Sequence, residues 1–236
     1  MMCAPFSTLL LSALLLSSAL ASGEIESDIP LGLEAVTGLR SGYVYRGIEL
    51  ADTLLDFQLE AEIALGDQFT LNTGAWFASE SGAGFSEFAA FLDARMDVSD
   101  LLTLGTSVTY HDFDKALLMD GVDVGLFATL YATEDLDFTF GAYRDFGNES
   151  WYAKAEAGWS HRLGEDSYLG LTGGVSWVND LIGRNGMNDF YGRASVTYNI
   201  NSAVSLTPFV GWSKLFDSDD TAGDEVFGGL WFEVIF

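Results

Sequence analysis

Between Leu55 and Phe77 the chain alternates strictly. Leu55, Phe57, Leu59, Ala61, Ile63 and Leu65 share one parity, and Asp56, Gln58, Glu60 and Glu62 the other, so this is a strand with one apolar and one charged face. Gly66-Asp67 interrupts the pattern. Phe69, Leu71, Thr73, Ala75 and Phe77 then resume it against Thr70, Asn72, Gly74 and Trp76, which predicts a hairpin.

The same unit recurs along the chain. Phe88 to Met96 turns at Ser99-Asp100 into Leu102 to Tyr110, and Val122 to Ala132 turns at Thr133-Glu134-Asp135 into Leu136 to Ala142. Trp151 to Trp159 turns at Leu163 to Asp166 into Leu169 to Trp177, and Phe190 to Ile200 turns at Asn201-Ser202 into Val204 to Trp212. A final strand runs from Val226 to Phe236, and a first one is expected from Leu33 to Arg46. About twelve antiparallel strands in a single domain follow, an even number as in bacterial outer-membrane barrels.

The connections alternate in length. Against the short turns stand Gly47 to Thr53, Ser79 to Gly84, Asp114 to Gly121, Asp145 to Ser150, Asn179 to Asn188 and Leu215 to Glu225, which are rich in Gly, Asp, Asn and Ser. Short turns at one end and long loops at the other are the pattern of a transmembrane up-and-down β-barrel, with its turns in the periplasm and its loops outside. The aromatics support this reading. On the apolar parity, Trp151 and Trp159 bracket three alanines, and Phe69 and Phe77 bracket Leu71, Thr73 and Ala75. At about 3.3 Å per residue and a tilt of roughly 40°, that separation spans about 20 Å, close to the apolar band of such barrels. Phe57, Phe88, Tyr110, Trp177 and Trp212 join the loop-end level, and Phe138, Tyr198 and Phe236 the turn-end level. A soluble β-sandwich would not be expected to sort its aromatics into two levels.

The 236 residues carry 35 acidic and 10 basic side chains, a net charge of −25. This charge excludes nucleic acid as a partner, since binding there depends on Lys and Arg meeting phosphates. With 49% hydrophobic residues and only 3 Pro, the chain is not a disordered one. Residues 1–21 hold the apolar run Leu9 to Leu16 and end in Ala19-Leu20-Ala21, the form of a cleaved signal peptide. The expected organisation is a leader at 1–21, an acidic periplasmic lead-in at 22–32 and a barrel at 33–236. The single Cys3 falls in the leader, so neither disulfides nor thiolate metal sites are expected.

The last strand, Phe227 to Phe236, ends on an aromatic residue after alternating apolar positions, and looks like the closing strand that the outer-membrane assembly machinery recognises. The segment Ser41-Gly42-Tyr43-Val44-Tyr45-Arg46-Gly47-Ile48-Glu49-Leu50-Ala51-Asp52 resembles the opening Y-V-x-R-G-x-x-x-x-D of the TorF family of outer-membrane proteins, also known as Gcw_chp. Gly74-Ala75-Trp76-Phe77-Ala78-Ser79 is similar to that family's G-x-W-x-S second hairpin. The resemblance covers the first 50 or so residues after the leader. It implies a membrane barrel in contact with outer-membrane lipid, and no catalytic residue.

Catalytic constellations are absent from the pattern. His111 neighbours Asp112, but adjacent strand residues point to opposite faces, and Ser107 lies four residues away. His111 is expected at the rim or girdle, and His161 at the other level. The carboxylates of Asp217 to Glu225 lack the glycine and terminal glutamate of a helix-loop-helix calcium site and are expected to be a solvated acidic loop. No nucleotide-binding motif occurs, and no cofactor is expected.

The polar parity is the informative surface. The charges expected to face the lumen are Arg46, Glu60, Glu62, Asp93, Arg95, Lys154, Glu156 and Arg193, with Arg40 and Arg46 on the first strand facing Glu60 and Glu62 on the second. A lumen of mainly one sign attracts counter-ions. The expectation is therefore a passive or gated channel for small hydrophilic solutes or cations. The competing expectation is a non-conducting barrel acting through its acidic loops, favoured if Arg46, Arg95 and Arg193 are each neutralised locally and Trp76, Phe91 and Trp231 fill the axis.

Overall fold

Strand after strand pairs with its sequence neighbour because each short turn leaves only an antiparallel partner within reach. The computed structural model describes residues 31–82, 84–217 and 224–236. The expected leader, most of the lead-in and residues 218–223 of the acidic loop lie outside the described residues.

The strands are β1 (Leu31–Arg40), β2 (Tyr43–Tyr45), β3 (Ile48–Ala51), β4 (Leu54–Leu65), β5 (Phe69–Glu80), β6 (Ser86–Ser99) and β7 (Leu102–Asp114). They continue as β8 (Gly121–Thr133), β9 (Leu136–Asp145), β10 (Ser150–Arg162), β11 (Ser167–Leu181), β12 (Arg184–Asn201), β13 (Val204–Leu215) and β14 (Glu225–Ile235). Among the described residues, β1 and β4 to β14 close into one twelve-stranded antiparallel barrel, sealed where Glu34 to Arg40 of β1 pair with Ile235 to Gly229 of β14. Closure leaves the sheet without an edge.

The outward face is apolar and exposed on every wall. Leu55, Phe57 and Leu59 on β4, Leu126 on β8, Trp151 on β10 and Val210 on β13 all stand in the open. Phe57, Phe77 and Phe88 are successive cross-strand partners and form an unbroken row at the loop end. Trp159, stacked on His161 at 5.5 Å, marks the turn end. So continuous an exposed apolar belt is a surface made for hydrocarbon rather than water.

Three boundaries differ from the sequence expectation. β1 begins at Leu31 and stops at Arg40, so the segment read as the rest of the first strand leaves the wall. Asn179 to Asn188 is no loop: β11 and β12 run on to Leu181 and Arg184 and turn at Ile182-Gly183, both at positive φ. Finally, Tyr43–Tyr45 and Ile48–Ala51 form a separate hairpin, outside the barrel's ladder, turning at Arg46 (φ 52) and Gly47 (φ 73). Two successive left-handed residues make the tight turn that suits hairpin twist. Arginine at the first of them hides it from a search for Asn-Gly or Asp-Gly.

Candidate functional site: a plugged lumen

The β2–β3 hairpin folds into the mouth of the barrel at its loop end. Around the ring β9 stands opposite β1, and the hairpin reaches that far wall. Arg46 at its tip forms ion pairs with Asp123 of β8 and, at 3.3 Å, with Asp145 of β9, and all three side chains are nearly buried. The Arg46 guanidinium also lies 4.8 Å from the Tyr152 ring of β10. Behind the tip, the Tyr43 hydroxyl donates to Glu87 of β6 at 2.9 Å and the Tyr45 hydroxyl to Asp123 at 3.2 Å. From the remaining wall, Arg184 donates to the Arg46 and Gly47 carbonyls at 2.9 and 3.2 Å, and the Asn188 amide to the Arg46 carbonyl at 3.0 Å.

Apolar packing completes the plug. Ile48 is buried with Leu118, Val178 and Leu181, and Ala51 with Leu54, Ala78 and Phe85. Ala116 and Leu118 come from the connection between β7 and β8, which bends over the hairpin instead of extending into solvent. The buried apolar core of the described molecule therefore sits inside the mouth.

The remaining lumen is open space. A cavity of about 550 Å³ lies under the hairpin, between Tyr45 and Arg46 above and Arg193, Phe209 and Trp231 on the wall. A second, of about 440 Å³, lies against β6 to β10 and includes Asp93, Arg95, Thr129 and Thr139. Ser107, Thr109, Tyr143 and Lys154 line both, so the two cavities adjoin.

The lumen stays hollow because its aromatics lie flat against glycines on neighbouring strands. A Cβ at Gly74 would strike Phe91, one at Gly105 Phe127, and one at Gly38 Trp231. Phe91 and Trp231 thus lie along the wall and leave the axis free, whereas Trp76 packs on Tyr43 within the plug at 5.5 Å. The axis is filled at the mouth by the hairpin.

The eight charges expected in the lumen divide as follows. Arg46 does not sit on the first strand and does not meet Glu60 or Glu62; it is the tip of the plug. Arg40 pairs with Asp56 instead of those glutamates. Glu60 accepts from Gln58 of its own strand, while Glu62 is exposed. Arg95 lies 3.9 Å from Asp93 and Lys154 3.6 Å from Glu156, each pair on one strand two residues apart. Arg193 has no carboxylate partner among the described residues and lies 4.9 Å from the Trp231 ring.

His111 is no rim residue. It faces the lumen, with Nδ1 2.9 Å from Glu87 and its ring 5.5 Å from that of Tyr45. The polar parity also carries Glu87 and Asp123, but sequence reasoning missed Asp145, Arg184 and Asn188 as lumen partners, because it reads the hairpin that brings them together as wall. One signal was present: after Gly42 the alternation stops, and Tyr43, Val44 and Tyr45 are apolar or aromatic on both parities.

No family model matches the chain, and no curated protein is similar to it. Among solved structures it is similar to the KdgM porin, with a TM-score of 0.56 at 9% identity over 87% of this chain and 99% of that one. It is also similar to the NanC porin, with a TM-score of 0.56 at 10% identity over 86% and 98%. An outer membrane channel from Pseudomonas putida F1 gives 0.53 at 11% identity over 87% and 94%. At these identities the likeness is one of fold: the chain has the closed antiparallel barrel of outer-membrane porins.

Proposed function

We propose that this protein is a gated outer-membrane channel for small hydrophilic solutes, closed from the loop side by the β2–β3 hairpin. The observation that carries the reading is the pair of adjoining cavities, of about 550 and 440 Å³, beneath a plug that spans the mouth. A merely structural barrel has no use for a hollow of that size kept free by aromatics pressed onto glycines. The fold shared with porins and the outward apolar belt support the location. The leader at 1–21 and the kinship with the TorF family belong to the same proposal, and the family's Y-V-x-R-G signature then describes the plug.

The turn half supplies a preference for cations. Glu34, Glu60, Glu62 and Glu233 gather on β14, β1 and β4, with Asp93 and Asp137 on β6 and β9. Carboxylates of one sign over low-dielectric walls raise the local concentration of counter-ions.

A second reading has an observation of its own. Leu54 and Leu181 are fully buried in the clusters that hold the hairpin, and such packing favours a permanently closed barrel that acts through its loops. Single-channel recording of the refolded protein in a planar bilayer under a KCl gradient separates the two. Current steps with a cation-selective reversal potential are expected. Silence from folded, inserted protein, both intact and with residues 41–53 replaced by a short Gly-Ser turn, would rule out the channel.

A further inference from the structure

The seven arginines of this chain are accounted for by acceptors in every case but one. Arg40 meets Asp56, Arg46 meets Asp123 and Asp145, and Arg95 lies near Asp93. Arg144, Arg162 and Arg184 donate to backbone carbonyls. Arg193 on β12 makes neither an ion pair nor a hydrogen bond among the described residues. Its guanidinium is exposed to the 550 Å³ cavity, in a chain whose net charge is −25. Acidic chains do not ordinarily leave a cation unclaimed inside themselves.

The carboxylates of the same cavity are already engaged. Glu156, whose charge reaches Arg193, accepts from the Tyr191 hydroxyl at 2.9 Å and faces Lys154 at 3.6 Å. Asp189 accepts from Ser176, from Asn188 at 3.0 Å and from Ser213 at 2.8 Å. Asp123 is held by Arg46 and Tyr45. Acceptors are satisfied and one donor fork is free.

That fork is also held in place. The Arg193 guanidinium lies 4.9 Å from the centre of the Trp231 ring, which stacks on Phe209 at 4.0 Å. Arg40 lies 5.8 Å from the same ring, so a second cation backs the site, and its Nε is buried without a partner. Cation–π contact fixes the plane of a guanidinium while leaving its in-plane N–H donors free. A planar fork of this kind matches a carboxylate with two parallel hydrogen bonds.

We propose that Arg193, backed by Trp231 and Arg40, is a recognition site for a small hydroxylated monocarboxylate. One negative charge suits the single free fork, and the cavity's carboxylates disfavour a second. The solute's hydroxyls find hydroxyl partners in Ser107, Thr109 and Thr172, all of which line the same space. The site names a solute held in the cavity under the hairpin, apart from the cation preference of the turn half, and rests on the channel reading for the solute's route; its binding test does not depend on current.

Sodium gluconate and its neutral counterpart sorbitol, which differ chiefly in the carboxylate, are titrated into the folded, detergent-solubilised protein at constant ionic strength while tryptophan fluorescence is followed. Gluconate is expected to give a saturable change through Trp231, and sorbitol and inorganic phosphate none of comparable affinity. Arg193→Gln is expected to weaken gluconate by about tenfold or more, the scale of a charge-assisted pair. Arg193→Lys, which keeps the charge without the fork, should recover part of it and serves if the glutamine variant does not fold. An equal response to sorbitol, phosphate binding as tight as gluconate, or unchanged affinity in both Arg193 variants would overturn the proposal. Gluconate binding without any current would remove the pore and leave the site, and current without gluconate binding would do the reverse.

Discussion

The loop half and the turn half of the lumen are built on the same strands with the same alternation, yet they treat their charges in opposite ways. At the loop end Glu87, Asp123, Asp145 and Asp189 are all nearly buried, and each has a donor from the hairpin, from His111 or from a neighbouring strand. At the turn end Glu62 and Asp97 stay exposed, and Glu34 and Glu60 are direct cross-strand partners of like charge. What differs is the hairpin. Burying a carboxylate is tolerable only when a cation or several donors come with it, and the plug supplies them to Glu87, Asp123 and Asp145. On the channel reading proposed above, closure belongs to the loop half and charge preference to the turn half.

The strongest way to break this comparison is to remove the hairpin. Replacing residues 41–53 with a short Gly-Ser turn is expected to raise single-channel conductance by on the order of tenfold, since the plug closes the mouth and the cavities beneath are open. Unchanged conductance would mean that the constriction lies elsewhere.

A more local cut is Arg46→Ala. It leaves Asp123 and Asp145 buried without their cation, a change that costs about 3–5 kcal/mol where a buried pair is broken. The hairpin should undock while the barrel persists. Hydrogen exchange at the Ile48 amide checks this, with protection lost in β3 and kept in β4 to β14.

The turn half is sharpened by replacing Glu60 and Glu62 together with Gln. The reversal potential under a KCl gradient should show cation preference falling by roughly twofold to threefold, with conductance little changed. The effect should fade in 1 M salt, where the Debye length shrinks to about 3 Å.

The smallest effect concerns acidity. Burial and the nearby Glu225 carboxylate raise the pKa of Glu49 on β3 above its ordinary value. A carboxyl whose pKa is raised in the docked state favours docking at low pH, and that contribution is lost as pH rises through the raised value. Open probability should thus fall modestly on acidification through the carboxylate range, and Glu49→Gln should flatten that slope.

Much of this architecture is legible in the sequence. Leu55 to Phe77 forms the two-faced hairpin that its alternation predicts, and Trp151 and Trp159 both stand exposed on the outer face of β10. What escaped was the first connection. Periodicity reports which face a residue takes within a ladder, but carries no information about a segment that leaves the ladder for the interior. Tyr43 to Ala51 has strand-like composition because it is a strand pair, only not one of the wall. Hence Arg46, expected to face Glu60 and Glu62, meets Asp123 and Asp145 instead. For Arg193 the sequence offered its direction, while its lack of an acceptor depends on how Glu156 and Asp189 are spent, which only three-dimensional neighbours reveal.

The plug also sets an order of assembly. Arg46 finds Asp123 and Asp145 at 77 and 99 residues further along the chain, and Asn188 at 142. Bringing such distant segments together early is entropically unfavourable and kinetically slow, and the receiving walls exist only once β8 to β12 have been laid side by side. The seat of the β2–β3 hairpin is therefore complete only once β12 has joined the sheet. Until β12 is in place the hairpin tip lacks the Arg184 and Asn188 donors that hold its carbonyls, so a barrel short of that strand holds its stopper less firmly.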